Sequence, residues 1–450
     1  MLRKEIERKF PSIYADFIRE LFDRFNGAKI KYCILRNYEN FPYPIRLSSD
    51  YDVLIDKEFF SEVIALVDRL ASQFKLTKLL DVHRSSGDIR SQYFSYQNEV
   101  AFHIDVMKAY TWRVFEIFNA GIVLREAYFD KTKEVYIPKK GHEAVVSLFG
   151  YLFFRGEVKP EYIETIRRNI NNDEESFLAL LKCTYSEKRV LQLRRLIKKN
   201  NWSGVSKWAK YSKYQFWYRF KQCNFSYTRI LKYLRKRLFN NTGFFICILG
   251  PDGSGKSSVI DELQKNIEPI FGREACEIYH WRPFLLPAVN RRSPGEDVVS
   301  NPHEKKPYSL ILSLLRYFYF LVDFIIGIRV KVLPKTKLSK MIIFDRYYYD
   351  MYIDMLRFRL KMPKVIIKTL GFMVPKPDLL VYIDRDVDSI RRDKPELSRT
   401  ELLDQKKQFK KLVESFEERG LSTNMNGTIE ENALDIRKKI YEILSKRMEG

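Results

Sequence analysis

At 450 residues, 45% of them apolar, the chain exceeds what one hydrophobic core usually serves and is too rich in core-forming residues to be a disordered polymer. Eighty Lys and Arg against 57 Asp and Glu leave a formal charge of +23, so the expected partner is acidic: a nucleotide, nucleic acid, anionic membrane or phosphorylated glycan. Five cysteines (Cys33, Cys183, Cys223, Cys247, Cys276) lie far apart with no C-x-x-C pair, which argues for reduced thiols in the cytoplasm and against a disulfide framework or zinc site. The opening MLRKEIERKF has no apolar core of the kind a signal peptide needs.

In chain order, KYCILRN and YDVLID read as strands either side of a Pro-interrupted loop, and AFHIDVM as a further strand. Asp50 and Asp52 stand two apart on one strand and so share a face, while HIDVM offers Asp105 on another. Three converging carboxylates can hold two Mg²⁺ ions, bind a ligand without catalysis, or serve structure alone. From Gly141 the apolar spacing turns helical, and the span from Lys188 to Arg237 carries about sixteen Lys or Arg, no Asp or Glu, and interleaved aromatics (Trp202, Trp208, Tyr211, Tyr214, Trp217). This is expected to be either a solvated helical connector or a dock for an anionic membrane surface or lipid-linked carrier. The change to helical spacing at Gly141 and turn punctuation at Asn240–Gly243 set the boundaries: 1–140 a front α+β domain, 141–240 a helical, basic connector, 241–450 a rear α/β domain.

In the rear domain, strands (FFICIL, KMIIFD, PDLLVYID) alternate with helices, which predicts a parallel sheet between helical layers. Gly250-x-x-x-x-Gly255-Lys256-Ser257 fills every fixed position of the Walker A pattern between a strand and a helix. In such a loop Gly250, Gly253, Ser254, Gly255, Ser257 and Ser258 wrap ATP phosphates, Lys256 reaches the outer ones and Ser257 ligates Mg²⁺. Asp345 and Arg346 end a strand where open α/β sheets bind ligands, Asp384 ends another, and Arg391, Arg392 and Lys394 could close as a cationic lid. The apolar run Ser309–Val330 holds Arg316 and Asp323 seven residues apart, which fits a helix buried in the protein with its charges paired better than a membrane span.

GPDGSGKS, the strand-terminal Asp345-Arg346-Tyr347, and PDLLVYID followed by a basic lid resemble the thymidylate kinase family of P-loop kinases over about residues 243–420. The resemblance implies Asp345 near Mg²⁺, Arg346 on a phosphate and Asp252 facing the acceptor. The family's base-reading segment of the kind S-S-x-A-Y-Q is absent: DRYYYDMYIDMLRFR puts Asp350, Asp354 and Arg357 there. With HWRPFLLP, which contains Arg282, and NPHEKKP, this looks like the thymidylate-kinase-like proteins of bacterial surface-polysaccharide clusters. The implied activity is phosphorylation of a sugar or lipid-linked glycan hydroxyl, oriented by Asp252 or Asp345, with Asp350, Asp354, Arg357 and Arg282 on the substrate and the tyrosines stacking on sugar faces. Asp350, Asp354 and Arg357 could instead form an exposed ion-pair ladder at helical spacing.

Thymidine monophosphate is then expected to be a poor acceptor. The alternatives are a nucleoside monophosphate kinase, and a nucleotide-gated scaffold or nucleic-acid-binding protein; no nucleic-acid module is visible, so nucleic acid is the weaker partner. In the front domain, Arg46-x-Ser48-x-Asp50-x-Asp52 resembles the nucleotidyltransferase superfamily that includes aminoglycoside adenylyltransferases and the DNA polymerase beta group, over about residues 25–110. That likeness implies Mg²⁺ at Asp50, Asp52 and Asp105 and Arg46 on substrate, although Arg36-Asn37-Tyr38 replaces the superfamily's Gly-Ser phosphate grip. The expected location is cytoplasmic, or peripheral at the inner membrane face.

Overall fold

A computed structural model describes residues 12–43, 51–83, 88–222, 231, 235, 242–271, 275–287, 306–424 and 427–449. The chain divides into two compact units, Met1–Arg237 and Leu238–Gly450.

The front unit opens with α1 (Ser12–Gly27), then β1 (Tyr32–Ile34), β2 (Tyr51–Ile55), α2 (Phe60–Gln73), β3 (Thr77–Val82), β4 (Asp88–Ser95) and β5 (Val100–Met107). These strands form one mixed sheet in the order β1-β2-β5-β4-β3, with only the β2–β5 pair parallel. Alternation along β2 sends Val53 and Ile55 to one face and Leu54 to the other. The first face packs on α1 and α2 through Phe17, Leu21, Phe22 and Val67. The second packs on α3 (Lys140–Arg155), whose Val145, Leu148, Phe149 and Leu152 are fully buried.

Beyond α3 come α4 (Ile163–Asn172), α5 (Glu174–Lys182), α6 (Glu187–Lys198) and α7 (Trp202–Gln222). Leu180, Leu193, Val205 and Trp208 from these helices join the same core as the sheet residues Cys33 and Leu54. The described part of the span expected as a connector, as far as Gln222, thus packs as a helical layer on the front unit's sheet, each helix turning an apolar face to this core. Its charge is partly neutralised: Arg194 and Lys198 pair with Glu174 of α5, and Arg189 lies between the rings of Trp208 and Tyr211, donating to Trp208 O at 2.8 Å. Trp208 is core; Tyr211 and Tyr214 are exposed.

The rear unit contains β6 (Phe244–Leu249), α8 (Lys256–Phe271), β7 (Cys276–His280), α9 (Leu310–Gly327), β8 (Met341–Asp345), α10 (Lys364–Leu370), β9 (Leu379–Asp384), α11 (Val387–Asp393), α12 (Arg399–Glu414), β10 (Gly420–Asn424) and α13 (Ile429–Glu449). Its sheet is wholly parallel, in the order β7-β8-β6-β9-β10, as the alternation of strands and helices requires. β6 reads FFICIL, fully buried at every position, as a central strand covered on both faces must be. One face packs on α9 and α12 through Phe320, Phe324 and Phe409; on the other side α8 and α13 pack against each other, α8 touching β8 and α13 touching β10. α12 starts with a capping box in which Ser398 and Glu401 satisfy each other's backbone N–H. Thus the fold is α/β, with a parallel sheet flanked by helices.

Asp323, buried in the middle of α9, pairs with Arg282 at 3.0 Å and accepts from the backbone N–H of Leu285 and Leu286, each at 2.8 Å. Arg316 lies over the rings of Tyr308 and Phe320.

Candidate functional site

The walker loop runs from the carboxyl end of β6 into the first turn of α8. Gly250 (φ +151°) and Gly253 (φ +80°) take backbone conformations that disfavour a side chain, and a Cβ at Gly250 would stand 2.7 Å from Ser254 Oγ. Lys256, the first residue of α8, is buried, and its ammonium donates to the carbonyls of Gly250 (2.9 Å) and Pro251 (2.8 Å). Burial, then the neighbouring Arg346, push its pKa down to about 7 against the opposing pull of Asp345, Asp252 and Asp350. Ser257 and Ser258 are exposed on the first turn of α8, and Ser254 is buried with its hydroxyl unpartnered.

The adjacent strand supplies the next groups. Ile248 of β6 is in register with Asp345 of β8, and Arg346 N–H donates to Ile248 O at 3.0 Å. Arg346 has φ +74°, a strained conformation for a residue with a side chain, and it turns the guanidinium toward the loop. There it meets Asp252, which also pairs with Arg357. Burial works to raise the Asp252 carboxyl, but Arg346, Arg357 and Lys256 hold it well below the usual carboxylate range. Asp350 braces this arrangement from beneath. It is fully buried, takes Arg346 Nη1 at 3.2 Å and the N–H of Tyr347 at 2.9 Å, and burial pushes its carboxyl up against the pull of Arg346.

Asp345 Oδ1 is buried without a hydrogen-bond partner, while its Oδ2 lies 3.4 Å from Nδ1 of the exposed His280 at the end of β7. An unsatisfied buried carboxylate oxygen beside a phosphate-binding loop is a fit for a hard divalent cation. The basic segment after β9 reaches the same loop: Arg385 Nη1 donates to Gly253 O at 2.6 Å, and Ile390 O and Lys394 lie 3.6 Å from the position a Cβ would take on Gly253. Arg391 and Arg392 are exposed on α11, and Lys394 just past its end.

Several sequence expectations need correction. Arg282 is no substrate contact: it is 1% exposed and spent on Asp323 and the carbonyl of Leu286. Asp350 cannot accept a sugar hydroxyl from inside the core, nor do Asp350, Asp354 and Arg357 form an exposed ladder, because Asp350 serves Arg346 and Arg357 serves Asp252. Tyr347, Tyr348 and Tyr349 are core residues, with Tyr347 OH donating to Pro375 O and Tyr348 OH to Ile367 O. Their rings are therefore not free to stack on sugar faces, and the hydroxyls of Tyr347 and Tyr348 are satisfied within the core by those carbonyls. Asp384 is engaged by Lys406 and Lys410. Arg385, by contrast, is a loop contact with no pattern in the sequence to mark it.

In the front unit Asp52 and Asp105 are register partners across β2 and β5. Each is held by an arginine: Asp52 by Arg36, Asp105 by both Nε and Nη2 of Arg90 at 2.5 and 2.6 Å. They line a cavity of about 660 Å³ together with Tyr110, Glu143 and Tyr162. A Cβ at Gly150 would stand 2.8 Å from Tyr110 Oη and 3.1 Å from Arg36 Nη1, so a side chain there would crowd both. Among the described residues no group of three acidic, His or Cys side chains is placed to hold a metal. Arg46, Ser48 and Asp50 lie outside the described residues, so the expected three-carboxylate Mg²⁺ site is represented only by two carboxylates already paired with arginine.

No family model and no curated protein matches this chain. Solved structures with a similar trace include a thymidylate kinase from Ehrlichia chaffeensis (17% identity, 44% of this chain, 97% of that one, TM-score 0.31) and a thymidylate kinase from Candida albicans (17%, 44%, 91%, 0.32). At these scores the likeness assigns neither activity nor substrate to this chain.

Proposed function

We propose that the rear unit is a phosphotransferase that uses ATP and Mg²⁺ on an acceptor bearing its own phosphate: a nucleoside monophosphate, or a sugar or lipid-linked glycan phosphate. The observation that carries this reading is the meeting of Lys256, Asp345 and the Arg346–Asp252–Arg357 cluster at the carboxyl ends of two neighbouring parallel strands. Lys256 and the walker glycines would hold the ATP phosphates, and Asp345 with Ser257 would hold the metal, which supplies charge neutralisation for the transferring phosphoryl group.

Arg346 and Arg357 each take one oxygen of the Asp252 carboxylate, so the two guanidiniums converge on one small anionic group and would do the same on a phosphate. Asp350 keeps Arg346 from swinging away. Arg385 steadies the loop at Gly253, where Lys394 also lies, and the exposed Arg391 and Arg392 would add charge if this segment closes as a lid.

A bare sugar hydroxyl would need a carboxylate able to orient it and take its proton. Of the two carboxylates expected to orient a hydroxyl, Asp252 is engaged by two arginines and held below the ordinary range, and Asp345 is the one assigned to the metal. The acceptor is therefore read as phosphorylated, and thymidine monophosphate remains a poor candidate, because the segment after Arg346 presents core tyrosines in place of a base reader.

The test is transfer of label from γ-³²P-ATP, with Mg²⁺, to nucleoside monophosphates, sugar phosphates and their dephosphorylated counterparts. Label is expected only on phosphorylated acceptors. Efficient labelling of the plain sugars or nucleosides overturns the acceptor assignment, and failure to bind Mg-ATP at all overturns the phosphotransferase.

A further inference from the structure

Among the described residues one helix, Leu310–Thr336, is long and apolar enough to cross a membrane. Its packing argues against crossing. Tyr317, Phe320, Leu321, Phe324 and Ile328 form one face of it and are buried in the rear core. The opposite face is open and just as apolar: Ile311 (73% exposed), Leu315 (64%), Phe318, Val322, Ile326 and Val330 (60%) follow at spacings of three and four. That stripe runs about 28 Å at 1.5 Å per residue.

Both flanks extend it. On one side the loop carrying exposed Phe284 and Leu285 is fastened to the helix through Asp323, and by Lys331 Nζ donating to Pro283 O at 2.7 Å. On the other, Val365 (70% exposed), Phe372 (77%) and Met373 lie on and just after α10. This segment is tied to the long helix Leu310–Thr336 by Lys361 N–H on Ser313 Oγ (2.9 Å) and Arg329 on Met373 O (3.2 Å).

The charge around this surface has one sign. Between Lys306 and Lys340 the sole acidic residue is the buried Asp323, and between Met355 and Pro377 there is none. Arg329, Lys337, Lys361, Lys364 and Lys368 are exposed at its margins. An apolar band with a basic rim matches the interface of an anionic bilayer, where apolar side chains enter the headgroup boundary and lysines meet lipid phosphates. A second copy of the same face would bring two basic rims together.

We propose that this face of the rear unit docks, without spanning, on a membrane surface rich in anionic lipid. It is independent of the reaction assigned above, and distinct from the basic helical layer of the front unit.

The test is co-sedimentation of the full chain with vesicles of phosphatidylcholine alone and of phosphatidylcholine with phosphatidylglycerol. Binding is expected only with phosphatidylglycerol, weakened by high salt, and reduced at least tenfold by L315E/V322E. Because that variant removes apolar side chains, a second one, K364E/K368E, changes only exposed lysines and is expected to weaken binding in the same direction. Equal binding to both vesicle types, or no loss in either variant, overturns the proposal. So does a dimer in sedimentation equilibrium that L315E/V322E dissociates, which would make the occupant a second copy.

Discussion

Lys256 stands beside Arg346 in a buried pocket, and the consequence is a lysine whose charge depends on what fills the site. With its pKa down at about 7, it is expected to be largely neutral at about pH 8 without nucleotide, and bound phosphates are expected to restore its proton. Nucleotide binding at about pH 8 is therefore expected to take up close to one proton, and affinity is expected to fall as pH rises above about 7; below that the lysine is already charged and the linkage fades. Calorimetry of metal-free ATP binding in two buffers of different ionisation heat reads the proton directly, and proton release would contradict the assignment. Arg357 carries a second prediction. Losing its charge-assisted contact should raise the KM of the phosphorylated acceptor about tenfold or more, with the KM for ATP nearly unchanged, in Arg357→Ala. A change confined to ATP would place Arg357 on the donor instead.

At the scale of elements, α9 shows how one buried ion pair fixes a loop. Arg282 and Asp323 are both essentially unexposed, and removing the arginine alone leaves a buried carboxylate with only two backbone donors. Arg282→Ala is expected to destabilise the rear unit by about 3–5 kcal/mol, measured by urea denaturation, while Arg282→Met with Asp323→Leu costs less because no charge is stranded. Equal losses in the two variants would show that the loop, and not the charge, is what matters. The same elements show what could be read beforehand. The walker loop, its flanking strand and helix, and the strand-terminal Asp345-Arg346 follow from local pattern, since glycine spacing and strand ends are sequence-local. The sequence offers Arg282 as a substrate contact and does not show it as Asp323's partner, because the two are 41 positions apart and only the tertiary fold brings them together. The tyrosine run failed for a related reason: the carbonyls of Pro375 and Ile367 that satisfy Tyr347 and Tyr348 come from segments about 20 to 30 residues downstream.

On the scale of the whole molecule, every group of the candidate phosphotransfer site comes from Leu238–Gly450, and the Arg36–Asp52 and Arg90–Asp105 cavity comes from Met1–Arg237. The charge of Asp52 should then be irrelevant to transfer: Asp52→Asn is expected to leave kcat/KM for a soluble acceptor within about twofold, and a loss as deep as that of a walker-loop variant would show one shared catalytic centre. The packing of the described basic helices on the front sheet is hard to see in the sequence because basic residues dominate their composition, while the buried faces that join the core occupy only every third or fourth position. The central claim is that phosphoryl transfer depends on the walker loop. It is tested most directly by comparing label transfer from γ-³²P-ATP by the full chain and by Lys256→Ala. We predict a fall in kcat/KM of about 100-fold or more with the urea unfolding curve retained, and near-full turnover by the folded variant would contradict the account.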